Sequence, residues 1–351
     1  MDSLGPARRF GSVALAVLGA SGLLVGCAGR SMDPAAEIGN GEPLACEGAI
    51  DAHGIVLRSE VGRGSLFTSG ERLILVESQG RILSIDRCGE DEIELARDLG
   101  TVTASVLLEP HVWFRAGGSL SRVGLAGGPV EPVVTDAPSS NLVTDGARVY
   151  FFDGHGTSSA EVWSAGGVPV EASPLATLAA PAGHQLRLLA GGPAGLYFTY
   201  DCDCAPWLSR VVPGETEPST LEGAGAVGVW GSYSVGVGPD RLYVATNLTS
   251  GGAALRRVPF AGGEAEELLG TGSQRTALTA NHRHVCWLGG NYQGPTALSC
   301  LALFDPRRPS REIDRMDSAL TTSIALADDA VYWLRPQGDE ASAYEIFAAA
   351  L

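Results

Sequence analysis

The chain has 351 residues, of which 45% are hydrophobic and 18% charged. This composition is too apolar for a disordered protein and long enough for one large or two ordinary domains. All 24 basic residues are arginine, and 40 acidic residues give a formal charge of −16. Because phosphate binding needs a basic face, this charge argues against nucleic acid as a partner.

The first segment has the pattern of an export signal. Arg8 and Arg9 precede an uncharged, apolar stretch over 10–25 that is too short for a comfortable membrane span. It ends in Leu24-Val25-Gly26-Cys27, which resembles the lipobox of bacterial lipoproteins. The alternative is an ordinary signal peptide with an incidental cysteine.

The lipobox resemblance implies cleavage before Cys27 and an acyl-chain anchor on its sulfur, so that residues 1–26 are a signal peptide. Ala28 follows the cysteine where an aspartate would favour the inner membrane, which implies an outer-membrane lipoprotein facing the periplasm or the cell surface. Residues 27–43 are polar and rich in Gly and Pro, and we predict a flexible tether.

Six cysteines remain after the lipidation site, and an exported chain meets an oxidising compartment. Fifteen pairings are open in principle, but local spacing favours two short loops and leaves the first two cysteines to pin the N-terminal segment. Cys202-Asp203-Cys204 has no adjacent thiol or imidazole that would complete a metal site. We therefore predict no metal and no cofactor, and the disulfide pairs Cys46–Cys88, Cys202–Cys204 and Cys286–Cys300.

The body of the chain repeats one hairpin pattern, an apolar strand followed by a turn and an aromatic strand. Seven copies align on equivalent positions separated by 39, 37, 47, 46, 43 and 46 residues. This period is typical of the blades of a β-propeller. The equivalent residues are Ile74, Trp113, Tyr150, Tyr197, Tyr243, Cys286 and Tyr332.

A third strand follows each hairpin, and several end in Gly-Gly, which supplies the positive φ values of a tight turn into a fourth strand. The seventh copy is one strand short, whereas an unassigned strand-like segment, 54–61, precedes the first. We therefore predict an all-β fold over 44–351. It is a seven-bladed propeller of four-stranded antiparallel blades, closed by an N-terminal strand. Six or eight blades remain open alternatives.

The hairpin and Gly-Gly pattern resembles bacterial relatives of the YWTD, NHL and TolB-type propellers. The resemblance covers nearly the whole mature chain with weak motifs. No Trp-Asp dipeptide occurs, which disfavours the WD40 class. The calcium, ligand and partner residues of those families have no matching motif here, so none is assigned.

Loop length distinguishes the two faces of such a ring. The turns between first and second strands are short, whereas the loops between second and third strands are longer and carry polar groups, as binding loops do. One of these loops contains Asn247-Leu248-Thr249, which matches a glycosylation sequon, but a bacterial lipoprotein would not ordinarily meet the glycosylation machinery. On the other face, we predict that His282-Arg283-His284 forms a solvated turn. The predicted binding residues are Asp153, His155, Asp201, Asp203, Asn291, Tyr292 and Arg335.

No nucleophile–base pair or paired-acid motif is apparent, so the sequence favours a non-catalytic binding or scaffolding module at the cell envelope. Its partners would be the membrane, through the lipid, and an envelope protein or glycan, and we expect a monomer. The alternative is a propeller hydrolase, lyase or lactonase with acids and His155 at the channel mouth. Assembly with an outer-membrane machine is a third hypothesis.

Overall fold

A computed structural model describes residues 54–137, 141–153, 159–166, 171–179, 185–201, 207–225, 232–247, 253–272, 274–290, 296–304, 309–316, 323–337 and 343–351. Within these ranges the secondary structure is entirely β, with no helix. Accordingly, none of the described residues belongs to a helix long and apolar enough to span a bilayer. The signal, the tether and Cys27 lie outside the described residues.

The described chain contains 28 strands. Those of the first four repeats, with the strand that precedes them, are β1 (Ile55–Val61), β2 (Gly64–Ser69), β3 (Arg72–Glu77), β4 (Ile82–Asp86), β5 (Glu92–Ala96), β6 (Val102–Leu108), β7 (His111–Ala116), β8 (Ser119–Gly124), β9 (Glu131–Val134), β10 (Val143–Thr144), β11 (Val149–Asp153), β12 (Ser159–Gly166), β13 (Glu171–Ala179), β14 (Gln185–Gly192), β15 (Gly195–Asp201), β16 (Leu208–Val211) and β17 (Ser219–Thr220). Those of the last three are β18 (Ser232–Val237), β19 (Arg241–Asn247), β20 (Ala253–Pro259), β21 (Glu266–Gly272), β22 (Gln274–Ala280), β23 (His284–Gly290), β24 (Thr296–Ala302), β25 (Arg311–Met316), β26 (Ile324–Leu326), β27 (Ala330–Pro336) and β28 (Tyr344–Ala350).

These strands form seven antiparallel sheets of four, which are the blades of a ring. Blade 1 is β2 to β5, and each following blade takes the next four strands in order, up to β22 to β25 in blade 6. Blade 7 takes β26, β27 and β28 and receives β1 as its outer strand. The predicted fold class, blade count and N-terminal closure are therefore confirmed.

The second strand of each blade is apolar on both sides because each blade packs between two others. In β3, Leu73 and Leu75 pack toward blade 7, whereas Ile74 and Val76 pack toward blade 2. Successive side chains of a strand point to opposite faces of its sheet, so both faces are covered and the apolar run is continuous. Seven apolar clusters, one at each blade junction, make up the core.

Ring closure joins the first described strand to the last. β1 pairs antiparallel with β28, with Ile55 opposite Ala348 and Val61 opposite Tyr344. Across the same junction, the buried Arg87 of blade 1 donates from Nε to the Tyr332 hydroxyl at 2.9 Å and from Nη2 to Asp329. A strand ladder and a charged hydrogen-bond network thus hold the two ends of the repeat together.

Two Gly-Gly doublets occupy turns between third and fourth strands, as predicted. Gly127 and Gly128 have φ values of 81° and 120°, and Gly262 and Gly263 have 85° and 107°. A side chain would strain these left-handed conformations, which explains the recurrent doublet.

The three cysteines in the described ranges, Cys88, Cys286 and Cys300, are consistent with the predicted disulfide pairs. Cys286 and Cys300 are bonded directly across β23 and β24, with Cα atoms 4.1 Å apart. Cys88 is also disulfide-bonded. Its predicted partner Cys46, and the predicted pair Cys202–Cys204, lie outside the described residues.

Candidate functional site

The two faces of the ring carry different connections between strands. The turn face carries the turns between first and second strands and those between third and fourth strands. The other, with the loops between second and third strands and the links between blades, is the loop face. The seven inner strands β2, β6, β10, β14, β18, β22 and β26 run from the loop face to the turn face.

Strand bounds confirm the predicted difference in loop length, with two exceptions. In blades 3 to 7 the segments between second and third strands span 154–158, 202–207, 248–252, 291–295 and 337–343. In blades 1 and 2 they are only 78–81 and 117–118. The loops between second and third strands are therefore five to seven residues long in five blades and shorter in the first two.

Three of the predicted binding residues lie in the described chain, each near the loop-face end of a second strand. Asp153 ends β11 and Asp201 ends β15, in the neighbouring blades 3 and 4. Arg335 lies in β27 of blade 7. His155, Asp203, Asn291 and Tyr292 lie outside the described residues.

Arg335 makes contacts within the ring wall. Its Nη1 lies 3.6 Å from Oδ1 of Asp314 in blade 6, and its guanidinium lies 5.3 Å from the ring centroid of Phe347. Oδ2 of Asp314 accepts a hydrogen bond from Nε1 of Trp333 at 3.0 Å. Arg335 therefore contributes to the junction of blades 6 and 7, and its role in ligand binding stays a prediction.

A cleft of about 360 Å³ opens on the loop face near the closing strand. Its floor is organised by Glu77, which is 4% exposed. Oε1 of Glu77 accepts from the Gly62 amide and from Nη2 of Arg81, both at 2.8 Å, and Oε2 accepts from Nε of Arg81 at 2.9 Å. This hydrogen bond and the Glu77 charge raise the pKa of Arg81 above its usual value, although burial opposes the shift. The pair fixes the link between β1 and β2.

Glu77 and Asn247 both position the loop face, although the sequence did not identify Glu77 and identified Asn247 only as part of a sequon. Asn247 ends β19 and is 2% exposed. Its Oδ1 accepts from the Arg275 amide at 2.8 Å, and its Nδ2 donates to the Arg275 carbonyl at 2.9 Å, so it joins blades 5 and 6. The sequon asparagine is thus buried in the native chain. The signal in both cases was a polar residue that directly ends a buried strand.

His282-Arg283-His284 differs from the predicted solvated turn. His282 is exposed, and its Nδ1 lies 3.5 Å from Oδ1 of Asp328. His284 instead begins β23 and is buried, in edge contact with Phe304. Burial, followed by the charge of Arg283, lowers the pKa of His284. The prediction of a solvated turn is therefore wrong for His284, because the second strand of the hairpin begins at this residue and buries its side chain.

Two other displaced pKa values belong to groups that contact a neighbouring blade or pack on an aromatic ring. Burial raises the pKa of Tyr197 to about 12, and its hydroxyl donates to the Phe260 carbonyl of blade 5 at 2.8 Å. Burial lowers the pKa of Arg275, whose guanidinium lies 5.7 Å from the ring centroid of Trp287. Within the described ranges, no three His, Cys, Asp or Glu side chains are grouped as a metal site requires.

Known proteins resemble this chain in fold but not detectably in sequence family. No family model matches the chain, and no curated protein sequence matches it. A puromycin-hydrolysing peptidase from Mycobacterium tuberculosis is 15% identical with a TM-score of 0.52, over 82% of this chain and 52% of that one. The chain thus spans about half the length of the peptidase.

The AfRom2 CNH domain is 12% identical with a TM-score of 0.54, over 85% of this chain and 98% of that one. At such identities the likeness is one of fold. The chain is accordingly a seven-bladed β-propeller, similar in fold to these two proteins.

Proposed function

We propose that the protein is a lipid-anchored β-propeller of the cell envelope that acts as a non-catalytic binding or scaffolding module, with the loop face as its binding surface. The observation that carries the proposal is the set of connections at the loop face: loops of five to seven residues between second and third strands in five blades, together with links between blades of up to 11 residues. At the turn face, the turns between first and second strands have two to four residues and those between third and fourth strands have four to eight. Binding residues are most often found on loops held by a rigid scaffold.

The internal contacts support a binding role over the hydrolase, lyase or lactonase alternative. Arg87, Tyr197 and Arg275, whose pKa values are displaced, each hydrogen-bond to another blade. A catalytic acid or base needs a displaced pKa at a position where it meets a substrate. Ring assembly accounts for the displacement at these three residues.

Envelope attachment is proposed from the lipobox resemblance. Cells fed a clickable fatty acid should label the wild-type chain and leave Cys27→Ala unlabelled. Fractionation should then place the wild-type chain in the outer membrane. Labelling of Cys27→Ala, or a wild-type chain that carries no lipid, would contradict the anchor.

The binding role is tested by capture from solubilised envelope on the immobilised mature chain. We expect a protein or glycan that wild type retains, that is lost with Asp153→Ala and Asp201→Ala together, and that is kept with Asp240→Ala. Asp240 is a matched carboxylate on the turn face. Equal loss from the variants of both faces, or turnover of ester, lactone or peptide substrates, would refute the proposal.

A further inference from the structure

A pocket of about 260 Å³ lies on the loop face between the inner strands of blades 1 and 2. Its walls come from the beginning of β2, the end of β3 with the residue after it, and the beginning of β6. The pocket lies in the two blades whose loops between second and third strands are shortest. Its polar side chains are Arg63, Ser65, Ser78, Thr103 and Ser105.

Backbone contacts hold the walls of this pocket in place. The Ser78 amide donates to the Arg63 carbonyl at 2.7 Å, and the Val102 amide donates to the Ser78 carbonyl at 2.9 Å. At Gly64 a Cβ atom would lie 2.1 Å from the Val76 carbonyl oxygen, so glycine permits the close approach of β2 to β3. The pocket therefore does not depend on a mobile loop for its shape.

Most polar side chains of the pocket have no hydrogen-bond or ion-pair partner among the described residues. Within the described chain, no hydrogen bond or ion pair occupies the guanidinium of Arg63 or the hydroxyls of Ser65, Ser78 and Ser105, whereas Thr103 donates to the Arg115 carbonyl at 3.4 Å. Thr103 is also the extra residue of a β-bulge, between the pairs Val102–Ala116 and Ala104–Arg115. Bulges re-aim side chains and are frequent next to binding and active sites.

The charge of the pocket is opposite to that of the chain. No carboxylate of the described residues lines it, although the chain has a formal charge of −16. The nearest acid in sequence, Glu77, already accepts from Arg81 and the Gly62 amide. A cation entering the pocket would meet no counter-charge, whereas an oxyanion would meet one guanidinium and several hydroxyl donors.

We propose that this pocket binds the oxyanion group of a small ligand, a carboxylate or a phosphate, with Arg63 as the charged contact and Ser65, Ser78 and Ser105 as hydroxyl donors. The inference rests on the proposed function, in which the loop face binds the ligand, and it names the ligand class. The volume lies below the roughly 300–1,000 Å³ of sites for drug-sized molecules, which fits one anionic group with few attached atoms.

The test uses three probes with the mature chain: inorganic phosphate, glucuronate as a carboxylate, and glucose as a neutral sugar. Ligand-observed NMR should show saturable binding of phosphate, glucuronate or both, and none of glucose. Arg63→Gln should weaken anion binding about tenfold or more, because it removes a charge-assisted contact. Arg63 is exposed, so this variant should keep the wild-type melting temperature.

Arg97→Gln is the matched control, since it makes the same charge change on the same face. The Arg97 side chain is 72% exposed and lies 2.7 Å from Glu94, outside the pocket. It should leave anion binding unchanged, whereas Ser65→Ala combined with Ser105→Ala should weaken it several-fold. If Arg63→Gln and Arg97→Gln weakened anion binding equally, the effect would come from the overall charge of the face, and Arg63 would not be the charged contact of the pocket.

Two further outcomes separate this inference from the proposed function. If no anion binds while the loop face still captures its envelope ligand, the oxyanion pocket is refuted and the proposed function stands. If anions bind and Arg63→Gln abolishes this, but the loop-face variants do not alter envelope capture, the pocket stands and the proposed function is refuted. Binding of glucose as tight as that of glucuronate would overturn the ligand class.

Discussion

At the loop face, single polar residues at the ends of strands form hydrogen bonds that fix the neighbouring links and strands. Glu77 is the clearest case, because its carboxylate bonds to Arg81 and to the link that follows β1. Glu77→Gln should lower the free energy of unfolding by about 2 kcal/mol, because the buried carboxylate loses its charge-assisted hydrogen bonds. The cost is not larger because Arg81 is partly exposed, so water can solvate its unpaired charge. Urea denaturation measures this change.

Glu94→Gln serves as the control for Glu77→Gln. Glu94 pairs with the exposed Arg97, so its replacement should cost no more than about 0.5 kcal/mol. A cost for Glu77→Gln as small as that of the control would show that the buried carboxylate contributes little to stability.

His284 makes stability depend on pH. Its pKa is lowered in the folded chain by burial and by Arg283 and His282, which outweigh Asp328. The unfolded chain therefore binds more protons below about pH 6.5, and this residue's stabilising contribution is lost as pH falls. His284→Phe, which keeps the ring contact with Phe304, should flatten the fall in melting temperature between about pH 7 and about pH 5.

The control for His284 is His282→Ala, because the exposed His282 lies two residues before it and is the smallest of the causes that lower the pKa of His284. It should flatten the pH dependence of the melting temperature much less than His284→Phe does. If His284→Phe showed the same pH dependence as wild type, other titrating groups would have to explain the acid sensitivity.

At the scale of strands, the Cys286–Cys300 bond joins two partners that are already adjacent. Both cysteines are buried, and 14 residues separate them in sequence. Chain entropy predicts a loss of about 3 kcal/mol for Cys286→Ala combined with Cys300→Ala. Urea denaturation of the wild-type chain with a thiol reductant should show a similar loss in the free energy of unfolding, with no side chain replaced. Equal free energies of unfolding for the oxidised and reduced wild-type chain would contradict this.

The strands were predictable because their pattern is local. An apolar run such as Val331 to Leu334, followed by turn residues, recurs seven times, and the positions from Ile74 to Tyr332 that were aligned from sequence are all buried. The contacts of Asn247, His284 and Arg63 were not predictable in this way. Each depends on which neighbouring strand or blade lies beside the residue, and no spacing within one repeat specifies that.

For the whole molecule, the closing strand determines stability. β1 covers the edge of β28 and adds Val61 to the junction of blades 7 and 1. Deletion of residues 54–61 should remove more than about 5 kcal/mol, most of the stability of an ordinary domain. Calorimetry of the deletion variant should show a strongly lowered melting temperature.

The control for this deletion removes residues 28–35, which are equal in number and belong to the predicted tether. This variant should melt as wild type does. An unchanged melting temperature after deletion of 54–61 would contradict the importance of ring closure, and equal destabilisation by both deletions would point to a general effect of shortening the chain.

The pairing of β1 with β28 also constrains the order of folding events. A ribosome completes Ile55–Val61 long before Tyr344–Ala350, so the first strand waits without its partner while six blades are synthesised. Such distant pairings are slow, and an unpaired strand is a site for aggregation. A nascent chain therefore exposes this strand until Tyr344–Ala350 has been synthesised, and truncation of β28 should be more damaging than its small size implies.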